Sequence, residues 1–433
     1  MFRRILGLAV VLAVLLPATV FGSGYSIYEQ GAAVMGMAGA GTASVNDPSA
    51  LFYQPSAITR LPGQHLQIGG HGISPVISFA GTPDYPGYGV TEEMTRQTFL
   101  IPNAYYTYNS GKKWAIGAGL NAPFGLGIEW KEPDTFTGRT IVTKGDLRTL
   151  NGNLTFAYAP SEHWSVAVGF DALFAEVELH STQTALIPGG GGITNVATTE
   201  LKSHYTPGYG WNAGFTATPN EQWRYGLNYR SAVIVDVTDG DATFTQIPYN
   251  SGTAGIDGPF NAAVAAGLPP NQKVGTTLRF PAIWSAGLAY SPCAPWTLEG
   301  DINLIQWSLF TDLPITFATT PSLNKSIVED YRDVFQFRFG AEHRLPSWTY
   351  RFGYYFDQGA APVASISPLL PEADRHGVSL GLGLPFAKRW TLDVYDVGIF
   401  AVLAKTEGQN RAGYDGEYKT FVNAAGASVT ARW

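Results

Sequence analysis

The chain has 433 residues, a net charge of −7 at pH 7, 14% charged and 13% aromatic residues, and 50 glycines. An acidic chain without a basic run is a poor partner for nucleic acid, and a single cysteine, Cys293, excludes an internal disulfide. A soluble chain of this length is expected to divide into domains. Here, however, apolar residues alternate with polar ones, as strands facing lipid on one side and a wet lumen on the other require.

Residues 1–22 read as a secretory signal. Arg3 and Arg4 precede the apolar run from Ile5 to Leu16, Pro17 follows, and the small residues Val20 and Gly22 suit cleavage after Gly22. The run is too short for a stable membrane anchor. Residues 23–64 come next, rich in Gly and Ala and weak in alternation. Small residues favour close packing, so this segment is expected to fill a lumen as an N-terminal hatch, with the barrel over 65–433. Gly36-Met37-Ala38-Gly39-Ala40-Gly41 lacks the strand, helix and lysine of a phosphate loop. The segment ends in a proline turn, Gln54-Pro55-Ser56-Ala57.

Six of the eleven tryptophans then mark a repeat. Trp114, Trp164, Trp223, Trp296, Trp348 and Trp390 each follow a short polar or proline-bearing turn and open an alternating stretch. Short turns on one rim, longer loops on the other and an aromatic at the turn end of the strand describe a transmembrane β-barrel. With both termini on the short-turn rim, six turns join seven hairpins. The fold class is therefore all-β, a 14-stranded antiparallel transmembrane barrel with a small hatch inside.

The strand from Trp114 runs into Asn121-Ala122-Pro123-Phe124-Gly125. Proline cannot donate to a ladder and glycine permits a bend, so this is either a kink in the wall or the start of a loop. After Trp164, Val166, Val168 and Phe170 form one face against Ser165, Ala167 and Asp171. Long connections are expected over Glu178–Tyr205 and Asp236–Lys273. The second holds a short helix-like piece, Asn261–Leu268, whose spacing puts Phe260, Val264 and Leu268 on one face as an apolar capture surface. Arg148, Arg338 and Arg375 are read as inward-facing, available to a ligand carboxylate or to structural Asp and Glu partners. Past Trp348, Arg351 and Tyr355 face in while Phe352 and Tyr354 face out. The final strand alternates from Phe421 to Trp433, and its terminal aromatic resembles the signal read by the barrel assembly machinery.

No chemistry beyond binding is legible. Seven histidines are scattered without metal-ligand spacing, and Asp236, Asp239 and Asp241 lack further ligands. No nucleophile–base pair is present, so neither catalysis, a metal nor a cofactor is expected.

Ser23-Gly24-Tyr25-Ser26-Ile27-Tyr28-Glu29-Gln30 resembles the mature start of FadL-type outer-membrane transporters of long-chain fatty acids and other hydrophobic compounds. Asp47 to Ala57 is similar to the segment holding that family's Asn-Pro-Ala hatch motif, with Gln54 for the asparagine and Ser56 for the alanine. Asn121-Ala122-Pro123-Phe124-Gly125-Leu126-Gly127, Trp130, Gly138-Arg139 and Pro371-Glu372-Ala373-Asp374-Arg375 match further. The resemblance implies a 14-stranded barrel with a hatch, and a kinked third strand that opens the wall sideways at Asn121, Pro123, Phe124 and Gly125. It implies passive uptake of hydrophobic molecules, long-chain fatty acids first and aromatic hydrocarbons second, by a monomer set in outer-membrane lipid and lipopolysaccharide. A general diffusion porin is the rival reading.

Overall fold

The computed structural model describes residues 24–111 and 113–433; the expected signal segment, 1–22, lies outside them. Fourteen wall strands run in chain order, each antiparallel to the next. They are β1 (Gly63–Gly81), β2 (Phe99–Asn109), β3 (Trp114–Asn121), β4 (Lys144–Ser161), β5 (Trp164–Leu186), β6 (Thr206–Ala217) and β7 (Trp223–Arg230). Then come β8 (Ile283–Tyr290), β9 (Trp296–Ile305), β10 (Val334–Arg344), β11 (Thr349–Asp357), β12 (Arg375–Ala387), β13 (Trp390–Ala401) and β14 (Gly416–Arg432). β14 pairs back onto β1 along its length, from His65 opposite Arg432 to Gly81 opposite Gly416, so the sheet closes into a ring. All six tryptophan turns join wall strands on the rim where the chain ends meet: β2–β3, β4–β5, β6–β7, β8–β9, β10–β11 and β12–β13.

Period-two alternation decides which side chains meet lipid. On β5, Val166, Val168 and Phe170 point out, while Ser165 and Asp171 are buried inside. On β11, Phe352 and Tyr354 are exposed, with Arg351 and Tyr355 buried on either side of them. Much of what the sequence suggests are loops is strand continued beyond the wall. β5 runs on to Leu186 and returns as Ile193–Lys202. That return pairs with Val233–Gln246, which prolongs β7.

The wall begins at Gly63, two residues before the expected boundary, and the residues ahead of it lie in the lumen. Helices α1 (Ala32–Met35) and α2 (Ala50–Tyr53) are single turns, followed by a 3-10 helix, Pro55–Arg60. The segment is bonded from all sides. Gln67 of β1 reaches Asp47 (3.1 Å), the Tyr105 hydroxyl of β2 reaches Gln30 O (3.0 Å), and Asn228 of β7 reaches Tyr53 O (3.2 Å). Arg338 of β10 reaches Ala38 O (2.9 Å), and Ser428 of β14 accepts from Ala32 N (3.2 Å). A segment held by strands around the whole ring can only be inside it.

Candidate functional site

The turn Gln54-Pro55-Ser56-Ala57 is seated on the wall by hydrogen bonds to two neighbouring strands. Gln54 Nε2 lies 3.1 Å from Thr42 O, 3.2 Å from Phe215 O and 3.1 Å from Leu227 O, so one amide ties the luminal segment to β6 and β7. The Ser56 hydroxyl donates to Gln54 Oε1 (3.1 Å) and meets that of Thr216. Two wall glycines make the approach possible: a Cβ on Gly214 would overlap Gln54 Oε1, and one on Gly226 would overlap Thr42 O. Ala57 is buried among Tyr53, Ile58, Tyr105 and Ala115. Two strands further along the wall, on β9, Asp301 Oδ2 accepts from Gly41 N and Thr42 N (2.9 Å each), and Glu299 accepts from Ala43 N (2.6 Å) and Ser44 N. Sequence reasoning missed both acids; their signal was the inward parity Thr297, Glu299, Asp301, Asn303 behind Trp296.

The third strand is broken. β2 and β3 pair from Asn109 opposite Ala115 only as far as Ala104 opposite Leu120. β3 stops at Asn121 and resumes as Gly125–Glu129, which pairs with β4 alone. The register against β4 shifts by one residue, from Asn121 opposite Asn151 to Gly125 opposite Arg148, so three residues on β3 face two on β4. This is a one-residue bulge. Phe99–Asn103 of β2 are therefore left without a partner strand on that side. The luminal segment serves the kink's backbone: Ile27 N donates to Pro123 O (2.8 Å), Gly125 N to Tyr25 O (3.0 Å), and Gln30 Nε2 to Ala122 O (2.7 Å). Thr149 takes Phe124 N at 3.1 Å. Backbone groups that would be orphaned in lipid are thus paired with protein. Above the gap the wall rejoins where Thr95 N donates to Glu129 O (2.7 Å).

A cavity of about 740 Å³ runs from the lumen to this gap. Ile73, Ile77, Leu147, Ile399 and Val422 give it apolar walls; Arg338, Asp357, Glu372 and Arg375 give it a charged end. Phe99–Pro102 and Gly125–Gly127, the two lips of the gap, line it as well, and Leu100 is 80% exposed there.

The candidate ligand residues fare differently. Arg338 is buried and already paired: its guanidinium lies 3.9 Å from the Tyr28 ring centre and 3.3 Å from Asp357 Oδ1. Arg375 stands at the cavity's charged end. Arg148 does not face inward as expected. It shares the parity of the lipid-facing Leu150, Leu154 and Phe156, and it pairs with Asp146 at the mouth of the gap. Helix α3 (Ala254–Gly267) starts seven residues before the expected piece. Of the three residues expected on its apolar face, Phe260 is buried on Tyr249, ring centres 5.3 Å apart, Leu268 packs on the cluster of Phe244, Val274 and Phe317, and Val264 and Leu268 stay half-buried. An amphipathic helix turns its apolar stripe to whatever protein lies beneath it.

Over the cavity, Glu372 accepts from Ala361 N (2.7 Å), Ala360 N (3.2 Å) and Gly24 N. Burial raises its carboxyl to about 6, and burial reinforced by the charge of Glu372 raises Glu329 to about 8. Glu178, His180 and Glu200 sit close enough together to hold a cation, but Lys144 and Lys202 (3.2 Å) already neutralise Glu178.

The family model for outer membrane protein transport proteins (OMPP1/FadL/TodX) matches residues 13–433. A long-chain fatty acid transport protein of Escherichia coli is 27% identical over 431 residues, covering 95% of this chain and 94% of that one. One from Salmonella typhi is 26% identical, covering 89% of each. Among solved structures, a Pseudomonas aeruginosa FadL homologue superposes with a TM-score of 0.80 at 20% identity, over 95% of this chain and 100% of that one. The Ralstonia pickettii toluene transporter TbuX gives 0.69 at 18% identity, over 93% and 98%.

Proposed function

Because the chain belongs to the OMPP1/FadL/TodX family of outer-membrane transport proteins, we propose that it takes up long-chain fatty acids and releases them sideways into the bilayer. The observation that carries this reading is the continuity of one cavity from a charged end at Arg375 to the gap beside Gly125. Its volume of about 740 Å³ falls in the range of roughly 300–1,000 Å³ that houses an extended ligand, and its apolar walls between a charged cluster at Arg375 and the Asp146–Arg148 pair at the gap suit an acyl chain bearing a carboxylate. The relatives named as long-chain fatty acid transport proteins support the same substrate class. A general diffusion porin keeps an open water channel, whereas residues 24–61 occupy this lumen.

In the proposed cycle a fatty acid enters through the outer loop layer and settles in the cavity. The segment Tyr25–Ile27 withdraws from Pro123 and Gly125, and the ligand leaves between β2 and the resumed part of β3. Exit into lipid spares the apolar chain an aqueous path. No energy source is required, only a ligand that binds better to the withdrawn state.

Uptake of radiolabelled oleate by cells expressing the barrel, against cells lacking it and with toluene alongside, tests the substrate. Oleate uptake is expected; toluene uptake alone moves the substrate to aromatic hydrocarbons. Deleting Pro123 removes the extra residue of the bulge and restores a continuous register with β4. Oleate uptake is then expected to fall to background at equal surface expression, and uptake at the wild-type rate sinks lateral release.

A further inference from the structure

Two side chains close the gap in the wall, and each does so by standing where a glycine offers no side chain. Phe99, on the β2 lip, lays its ring against Gly127 on the other lip, so closely that a Cβ at 127 would overlap ring atoms. Ile27, from the luminal segment, places Cδ1 2.6 Å from where the Cβ of residue 125 would be. Gly125 and Gly127 are not turn residues here. Both lie inside a paired strand, at negative φ, where a side chain would ordinarily stabilise the ladder. Their lack of a side chain is what lets Phe99 and Ile27 fill the opening.

The two fillers are mounted differently. Ile27 rides on the segment whose backbone bonds to Pro123, so it leaves when that segment withdraws. Phe99 is fixed to the wall, in a stretch with a strand partner on one side only. Withdrawal of the luminal segment leaves the Phe99 ring in place, and only a side-chain rotation takes it off Gly127. A rotation between staggered positions is fast and needs no backbone movement.

We propose that Phe99 is the inner door of the lateral opening, seated on Gly127, and that its swing sets the cross-section of what passes. The inference rests on the lateral-release reading. A slender unbranched acyl chain clears a turned ring. A ligand carrying a wide rigid group does not, whatever its affinity for the cavity.

The test compares uptake of oleate with uptake of a fatty acid bearing a terminal pyrene, in cells expressing matched surface levels of each variant. Phe99→Ala removes the door, and Gly127→Ala pushes the ring off its seat. Both are expected to raise the pyrene-to-oleate uptake ratio several-fold while oleate uptake stays at or above wild type. Phe99→Trp, wider on the same mount, is expected to slow oleate. Ratios unchanged from wild type in both Phe99→Ala and Gly127→Ala overturn the door, and if the Pro123 deletion still abolishes oleate uptake, lateral release survives without it. Wild-type oleate uptake by the Pro123 deletion overturns lateral release and the door together. Should Phe99→Ala fail to reach the surface, Gly127→Ala alone decides the matter.

Discussion

At the scale of single residues, the luminal segment is held by what the wall omits as much as by what it presents. Gly226 carries no side chain because Thr42 O stands in its place, and Gln54 reaches the carbonyls of Phe215 and Leu227 across the same bare patch. Gly226→Ala is therefore expected to unseat the segment. Single-channel recordings in planar bilayers should show it as a steady conductance absent from the wild type; a silent Gly226→Ala channel argues against this seat. Gln54→Ala loses up to three hydrogen bonds, about 1 kcal/mol each, and is expected to flicker open rather than stay open. Gln54→Asn, one methylene shorter, keeps the amide but not its reach to both strands. If Gln54→Asn matches the wild type in conductance and uptake, reach is irrelevant and this account of the longer arm fails.

At the scale of elements, the connection between β11 and β12 holds a carboxyl that fixes the start of the luminal segment. Glu372 and Glu329 are both raised above the usual carboxylate range by burial. A raised folded-state value means the stabilisation is complete below the unfolded value, near 4.5, and is lost as pH rises through about 6 for Glu372 and about 8 for Glu329. Hydrogen exchange over residues 359–373 in the purified barrel should accordingly speed up from pH 5 to pH 8.5 beyond the intrinsic rate. Glu329→Gln removes the upper part of that window, so its protection should level off above pH 7. Protection that grows with pH contradicts the prediction.

The elements also show what sequence can and cannot carry. Wall strands were legible because alternation is local: Arg351 and Tyr355 inside, Phe352 and Tyr354 outside, follow from parity alone. The tryptophan turns counted the strands for the same reason. Arg148 was misplaced although Leu150 and Leu154 already gave its parity. The direction taken by the apolar face of α3 was not legible, because nothing in residues 254–268 says which strands lie beneath them. Nor were the glycine seats. A glycine in a strand reads only as a weak point until Phe99, 28 residues earlier in the chain, is seen to stand over Gly127.

At the scale of the molecule, β14 is bonded on both sides, to β1 for its full length and to β13 from Phe421 to Ala431. Removing residues 427–433 exposes both neighbouring edges at the rim where the chain ends meet. Such a truncation is expected to lose the resistance to SDS at room temperature that a closed barrel shows in gel mobility; retained resistance would mean the wall closes without its last strand. The same closure has a consequence in time. β1 and β14 lie at opposite ends of the chain, so the ring cannot shut until nearly every residue has been made and delivered. The segment that fills the lumen is among the first to arrive, and it is gripped by β5, β7, β9 and β10 as well as by β1 and β14. It is therefore at hand to take up these bonds strand by strand while the wall is still an open, curling sheet. The protein is assembled around its own contents.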